Sequence, residues 1–257
     1  MDDAVVSEEE IESAEKLRGQ GDFANALALT QNMLHRVRDG DTRMRLLFDV
    51  LYCSTRLRAD DLTSETIQEL EQMPEPKMSR VFVDFIQAVS HIAFGRAQEA
   101  LQLIEANLKT EFMVREDFRI WKYKHLAYKG SALVGLARCE EALYALKEAH
   151  DMYPDGERET AILIDQSNCL LALDQYDEAY NAASRVLNRD DGEMAVLATQ
   201  YMAECRMWQA RVPEALRLYT DVQKRLPCRL VEEERIRGGI AKCMAYLEKV
   251  RPQGKPS

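Results

Sequence analysis

Glycine and proline are scarce, 11 and 7 in 257 residues, and there are only four histidines. So few turn residues argue against a sandwich or barrel of many short strands. The histidines, His35, His91, His125 and His150, form no H-E-x-x-H and keep no metal-ligand spacing with a cysteine. No metal site is therefore expected. A P-loop, a G-x-S-x-G elbow and a dinucleotide fingerprint are also missing, so neither a catalytic residue nor a cofactor is expected. No apolar run reaches the roughly 18 residues that a membrane-spanning helix needs. Positive charge is in deficit: 34 Lys and Arg face 44 Asp and Glu, a net charge of −10. That balance opposes nucleic acid and anionic membrane, both of which are bound through Lys and Arg. None of the six cysteines forms a C-x-x-C, and the opening Met1-Asp2-Asp3-Ala4 is acidic where a secretory signal is basic. Reduced, structural thiols and a cytoplasmic setting are the expectation.

What the chain does have is Leu, Ala, Glu and Arg throughout, a helix-forming composition. It also has a recurring phrase. A small or polar residue and an apolar one precede Glu-Ala-Leu or a variant at Asp22–Leu27, Arg96–Leu101, Arg138–Leu143, Gln175–Tyr180 and Arg211–Leu216. The alanines that anchor the phrase are Ala26, Ala100, Ala142, Ala179 and Ala215, at intervals of 74, 42, 37 and 36. The first interval is two periods of 37, which predicts one degenerate unit over 41–76, broken around Arg58-Ala59-Asp60-Asp61.

This pattern resembles the tetratricopeptide-repeat (TPR) family, whose unit of about 34 residues is a helix–turn–helix. The family places a small residue at position 8, Ala at 20, Ala or a similar residue at 27 and Pro at 32. The unit from Tyr123 supplies Gly130, Ala142, Ala149 and Pro154; the one from Val196 supplies Ala203, Ala215, Val222 and Pro227. The resemblance implies an all-α, right-handed α-α superhelix. Six hairpins are expected, at about 7–40, 41–76, 81–112, 123–156, 160–193 and 196–228. A capping helix over 229–250 and disordered ends at 1–6 and 251–257 complete the expectation. Gly238 and Gly239 lie in the expected capping helix, where close packing is the reason expected for them.

The resemblance further implies a protein-binding scaffold or adaptor that takes a peptide or helical segment in a groove lined by the first helix of each hairpin. By position, the lining residues are Phe82, Phe85, Val89, Lys124, Ser131, Asn168, Gln200, Glu204 and Trp208. Lys124 and Asn168 do not stand in the relative units of a terminal-carboxylate clamp, and Tyr128 replaces its arginine. Apolar and uncharged contacts are expected instead. The long interval before Ala142 predicts that residues 113–122 extend the next helix, with Arg115, Arg119, Lys122 and Lys129 as a basic docking stripe. That stripe supports an alternative reading, a nucleic-acid-associated protein. An inhibitory or chaperone-like partner of another protein is the other alternative.

Overall fold

The computed structural model describes residues 6–250 apart from 20, 73–75, 155, 157, 190–191, 227 and 229. The expectations for Pro227, for 251–257 and, apart from Val6, for 1–6 lie outside the described residues. Those described form thirteen α-helices and no strand. They are α1 (Glu8–Gly19), α2 (Phe23–Leu34), α3 (Gly40–Leu57), α4 (Asp60–Glu71), α5 (Pro76–Ala93), α6 (Ala97–Leu108) and α7 (Arg119–Gly135). Then follow α8 (Cys139–Met152), α9 (Glu159–Ala172), α10 (Tyr176–Val186), α11 (Glu193–Trp208), α12 (Val212–Lys224) and α13 (Glu233–Val250).

The period of the sequence is a period of turn geometry. Gly21, Arg58, Gly95, Ala137, Asp174 and Ala210 all have positive φ, between 55° and 79°. Their spacings are 37, 37, 42, 37 and 36, so the degenerate unit closes with the same turn as the others. At each, the N–H of the following residue returns to a carbonyl five positions back: Asp22 to Leu17, Ala59 to Ser54, Arg96 to His91, Arg138 to Leu133, Gln175 to Leu170 and Arg211 to Arg206, at 2.7–3.0 Å. This is the Schellman closure, which satisfies carbonyls that a helix end otherwise leaves bare. Two of the six turn residues are glycine; the other four bear a side chain in a backbone region that disfavours one.

Tight turns bring paired helices together only if the residues between them are small. Ala14 and Ala26, Ala88 and Ala100, and Ala203 and Ala215 are all at most 2% exposed. A Cβ on Gly130 would overlap the Leu146 side chain, so α7 and α8 approach at a distance that only glycine allows. Ser167 Oγ donates to Ala179 O at 2.9 Å, a bond across α9 and α10 that needs the same closeness. In the degenerate hairpin the corresponding residue is Thr63, buried, with its Oγ1 bonded to Ser54 Oγ at 2.9 Å. These hairpins have the tetratricopeptide pattern, and the architecture is all-α.

The helices fall into two compact units, Met1–Arg119 and Ile120–Ser257. In the first, Ile11, Ala14, Met33 and Leu46 form a core against which Val6 and Leu29 pack. In the second, one cluster joins Leu163, Ala183, Val186 and Met202, and another joins Val196, Tyr219, Val222, Ile236 and Cys243. α13 closes the latter: it packs on α12 and touches α11. All six cysteines are free. No helix of the described residues is long and apolar enough to cross a membrane.

One expectation is corrected. Of residues 113–122, only Arg119–Lys122 extend the helix upstream, by about one turn. Residues 113–118 fall instead in two 3₁₀ turns, Glu111–Val114 and Glu116–Phe118, separated by an extended Arg115 (φ −82°, ψ 144°), and the helix begins at Arg119. Buried Met113 and Phe118 explain the break. Phe118 stacks on Phe82 at 6.1 Å, and this inward anchor competes with a continuous helix.

Candidate functional site

In the second unit the odd-numbered helices are neighbours. α9 packs on α11, and α11 on α13, while side chains tie α7 to α9. Residues three and four apart on a helix share a face, so positions 5, 6 and 9 of successive odd helices stand side by side. On α7 and α9, Ser131 Oγ donates to Asp165 Oδ2 at 2.5 Å. Next to them the Arg158 guanidinium lies 3.7 Å over the Tyr128 ring, and its Nε is buried without a hydrogen-bond partner. Burial pushes the Asp165 carboxyl up, against the opposing pull of the Ser131 bond and the Arg158 charge.

On α11, Gln200 Nε2 donates to Glu204 Oε1 at 2.8 Å, and Arg235 of α13 reaches Glu204 Oε2 at 2.7 Å. Gln200 is 1% exposed and its Oε1 is buried without a partner. Asn168 is half-buried, and its amide bonds to no described residue. Lys124, half-buried, rests 5.4 Å over the Trp121 ring. Trp208, the last residue of α11, is 68% exposed. Its ring stacks nearly parallel on Tyr176, with an 8° interplanar angle and 6.4 Å between centroids. Burial pushes the Tyr201 phenol and the Cys205 thiol up to about 12, so both stay neutral at physiological pH.

The remaining residues of the expected groove lie in the first unit. Phe85 and Val89 are each 6% exposed. Phe82 is half-buried between the rings of Phe48 and Phe118. In the expected basic stripe, Arg119, Lys122 and Lys129 share α7 and Arg115 does not. Arg119 pairs with Glu116 and Lys122 with Glu148, both at 3.4 Å, while Arg115 covers the Phe118 ring.

Sequence reasoning passed over Asp165, Arg158, Arg235 and Lys242. Asp165 falls at position 6 of its hairpin, where Tyr128 and Tyr201 fall in theirs, so the register itself pointed to it. Arg158 and Arg235 carry no such signal, because one lies before α9 and the other in a helix outside the repeat phrase. Among the described residues no three His, Cys, Asp or Glu side chains cluster to hold a metal.

The class that fold and face define is an all-α array of tetratricopeptide-type hairpins with a mixed polar and aromatic odd-helix face. No family profile matches the sequence, and no curated protein does. Among solved structures, the chain is similar to the TPR domain of P58(IPK), with 15% identity and a TM-score of 0.46, over 95% of this chain and 66% of that one. It thus spans just under two thirds of that domain. It is also similar to TTC0263, a thermophilic TPR protein of Thermus thermophilus, with 16% identity and a TM-score of 0.38, over 92% of this chain and 98% of that one.

Proposed function

We propose that this chain is a cytoplasmic protein-interaction scaffold or adaptor. Its second unit takes a peptide or helical segment of a partner protein on the face formed by α7, α9, α11 and α13. The observation that carries this reading is Trp208. A large aromatic side chain is held 68% exposed in one orientation by its stack on Tyr176. Exposed, pre-ordered tryptophan is the residue type that most often dominates an interface, because it buries much apolar area at low entropic cost. Of the uncharged groups expected in the groove, Asn168 is half-buried with an amide that bonds to no described residue, while Gln200 is buried and engaged by Glu204. Ser131 is already engaged by Asp165, so it contributes by holding that carboxylate. The basic stripe supports the nucleic-acid reading poorly, because Arg119 and Lys122 each have a carboxylate partner.

Crosslinking in cells and mass spectrometry would identify the partner, and purified partner would then be titrated with variants of verified fold. Trp208→Ala is expected to cost about 2 kcal/mol, roughly 30-fold in affinity. Asn168→Ala should cost less. The reading fails if both folded variants bind as the parent does, or if the partner's footprint lies wholly on Arg115–Lys129.

A further inference from the structure

Beside Trp208 lies a cleft of about 580 Å³, walled by Met207, Trp208 and Tyr219 and floored by one face of α13, with Arg235, Gly238, Gly239 and Lys242. Its two adjacent glycines have different reasons to be there. A Cβ on Gly239 would lie 2.5 Å from Tyr219 Cζ, so packing requires that glycine. A Cβ on Gly238 would meet nothing within 4 Å. Packing therefore does not account for Gly238, although glycine inside a helix is destabilising relative to alanine. What its missing side chain does is keep the cleft floor bare, so that another backbone or side chain can approach the helix closely.

The charge of the cleft is equally specific. Glu204 is 8% exposed and fully engaged by Gln200 and Arg235, so one negative and one positive charge cancel. Lys242 is exposed and pairs with no described residue. One positive charge is left over, in a chain whose net charge is −10. The same cleft is lined by Met207, Trp208 and Tyr219, and the Trp208 ring stacks on Tyr176.

We infer that this cleft is a recognition pocket for an acidic–hydrophobic peptide segment. An internal Asp or Glu side chain meets Lys242 and the free edge of the Arg235 guanidinium. A large apolar side chain within two residues of it fills the space over Gly238, against Met207 and Tyr219. The rest of the segment runs over Trp208. A self-contained small molecule would leave that outer shelf unused, which is why a peptide is the occupant chosen. The inference rests on the proposed scaffold role and gives its partner a chemistry.

The test is selection of phage-displayed random heptapeptides on the full-length chain, followed by titration of synthetic, acetylated and amidated versions. Enriched sequences should carry Asp or Glu within two positions of Trp, Phe or Leu. Exchange of the acid for its amide should weaken binding at least tenfold, and so should Lys242→Glu. Gly238→Leu fills the floor with a good helix former; it should weaken binding as much while the melting temperature holds or rises. An empty selection overturns the inference, as do enriched peptides without acids. It also fails if peptides bind the Lys242→Glu and Gly238→Leu variants normally, or if they need a free C-terminal carboxylate. A natural partner that loses affinity with Asn168→Ala and Trp208→Ala but ignores both cleft variants would leave the scaffold reading standing and remove this one.

Discussion

His125 is fully buried on α7, and its Nδ1 donates to the Trp121 carbonyl at 2.8 Å. Burial drives its pKa down from 6.5 to about 4. The folded protein therefore refuses a proton that the unfolded chain accepts between those values. Above pH 6.5 the imidazole is neutral in both states and its contribution is intact. As pH falls toward 4, stability is lost, up to about 3 kcal/mol from this residue. Asp165 works in the opposite sense, because its raised pKa favours the protonated, folded state as pH falls. The bare pH curve of the parent mixes the two, and a variant separates them. His125→Gln keeps an amide donor for the Trp121 carbonyl and does not titrate. Urea unfolding of both proteins at pH 7 and pH 4 should show the stability difference shifting in favour of the variant by about 3 kcal/mol. Equal pH slopes would mean that His125 is hydrated when folded.

Each hairpin depends on its turn, and the turns show how far the sequence could be read. The phrase around Ala26, Ala100, Ala142, Ala179 and Ala215 is legible because other requirements coincide with it: a small residue, a helix start, a fixed period and, in every copy but the first, an acidic residue in the first turn. The hairpin of α3 and α4 was legible only from the doubled interval. Its Thr63 and Arg58 meet the same geometry with a bonded hydroxyl and a side chain at φ 55°. Nothing in one sequence marks either substitution as equivalent. The start of α7 was misread for a related reason: helical spacing of Arg115 and Arg119 is compatible with a helix, while the inward pull of Phe118 is a tertiary fact. The turn geometry itself makes a prediction. Ala137 and Ala210 sit at φ 57°, where a Cβ costs roughly 1–2 kcal/mol, partly offset in glycine by the larger entropy of its unfolded chain. Ala137→Gly and Ala210→Gly should each stabilise by about 0.5–1 kcal/mol. A lower melting temperature in both would show that those side chains contribute packing that outweighs the backbone strain.

An array of hairpins has no single core to protect it, so its stability depends on how each exposed end is covered. In the second unit that cover is α13. Ile236 and Cys243 are fully buried against a cluster that includes Val196, Tyr219 and Val222. The outward side of α13 is less polar than Glu233, Glu234 and Lys249 suggest, because Met244, Tyr246 and Val250 stand 44–59% exposed on it. Removal of residues 229–257 would strip the inner contact and leave the apolar surface of α11 and α12 in water, a patch of the kind that drives association. The truncated chain is expected to aggregate, or to melt well below the parent if it stays soluble. Because a long deletion can fail for unrelated reasons, Ile236→Ala is the finer probe. It removes one fully buried side chain from the middle of the contact and should cost about 2–5 kcal/mol. Because neighbouring hairpins share a core, that loss should appear as a lower melting temperature of the whole second unit. Hydrogen exchange would resolve the order: α13 and α12 should lose protection first, then α11, with α7–α8 affected least. A soluble, monomeric truncation with unchanged stability would show that α13 is not the cover. Uniform loss of protection from α7 to α13 would show that the second unit unfolds as one body, without neighbour-by-neighbour coupling.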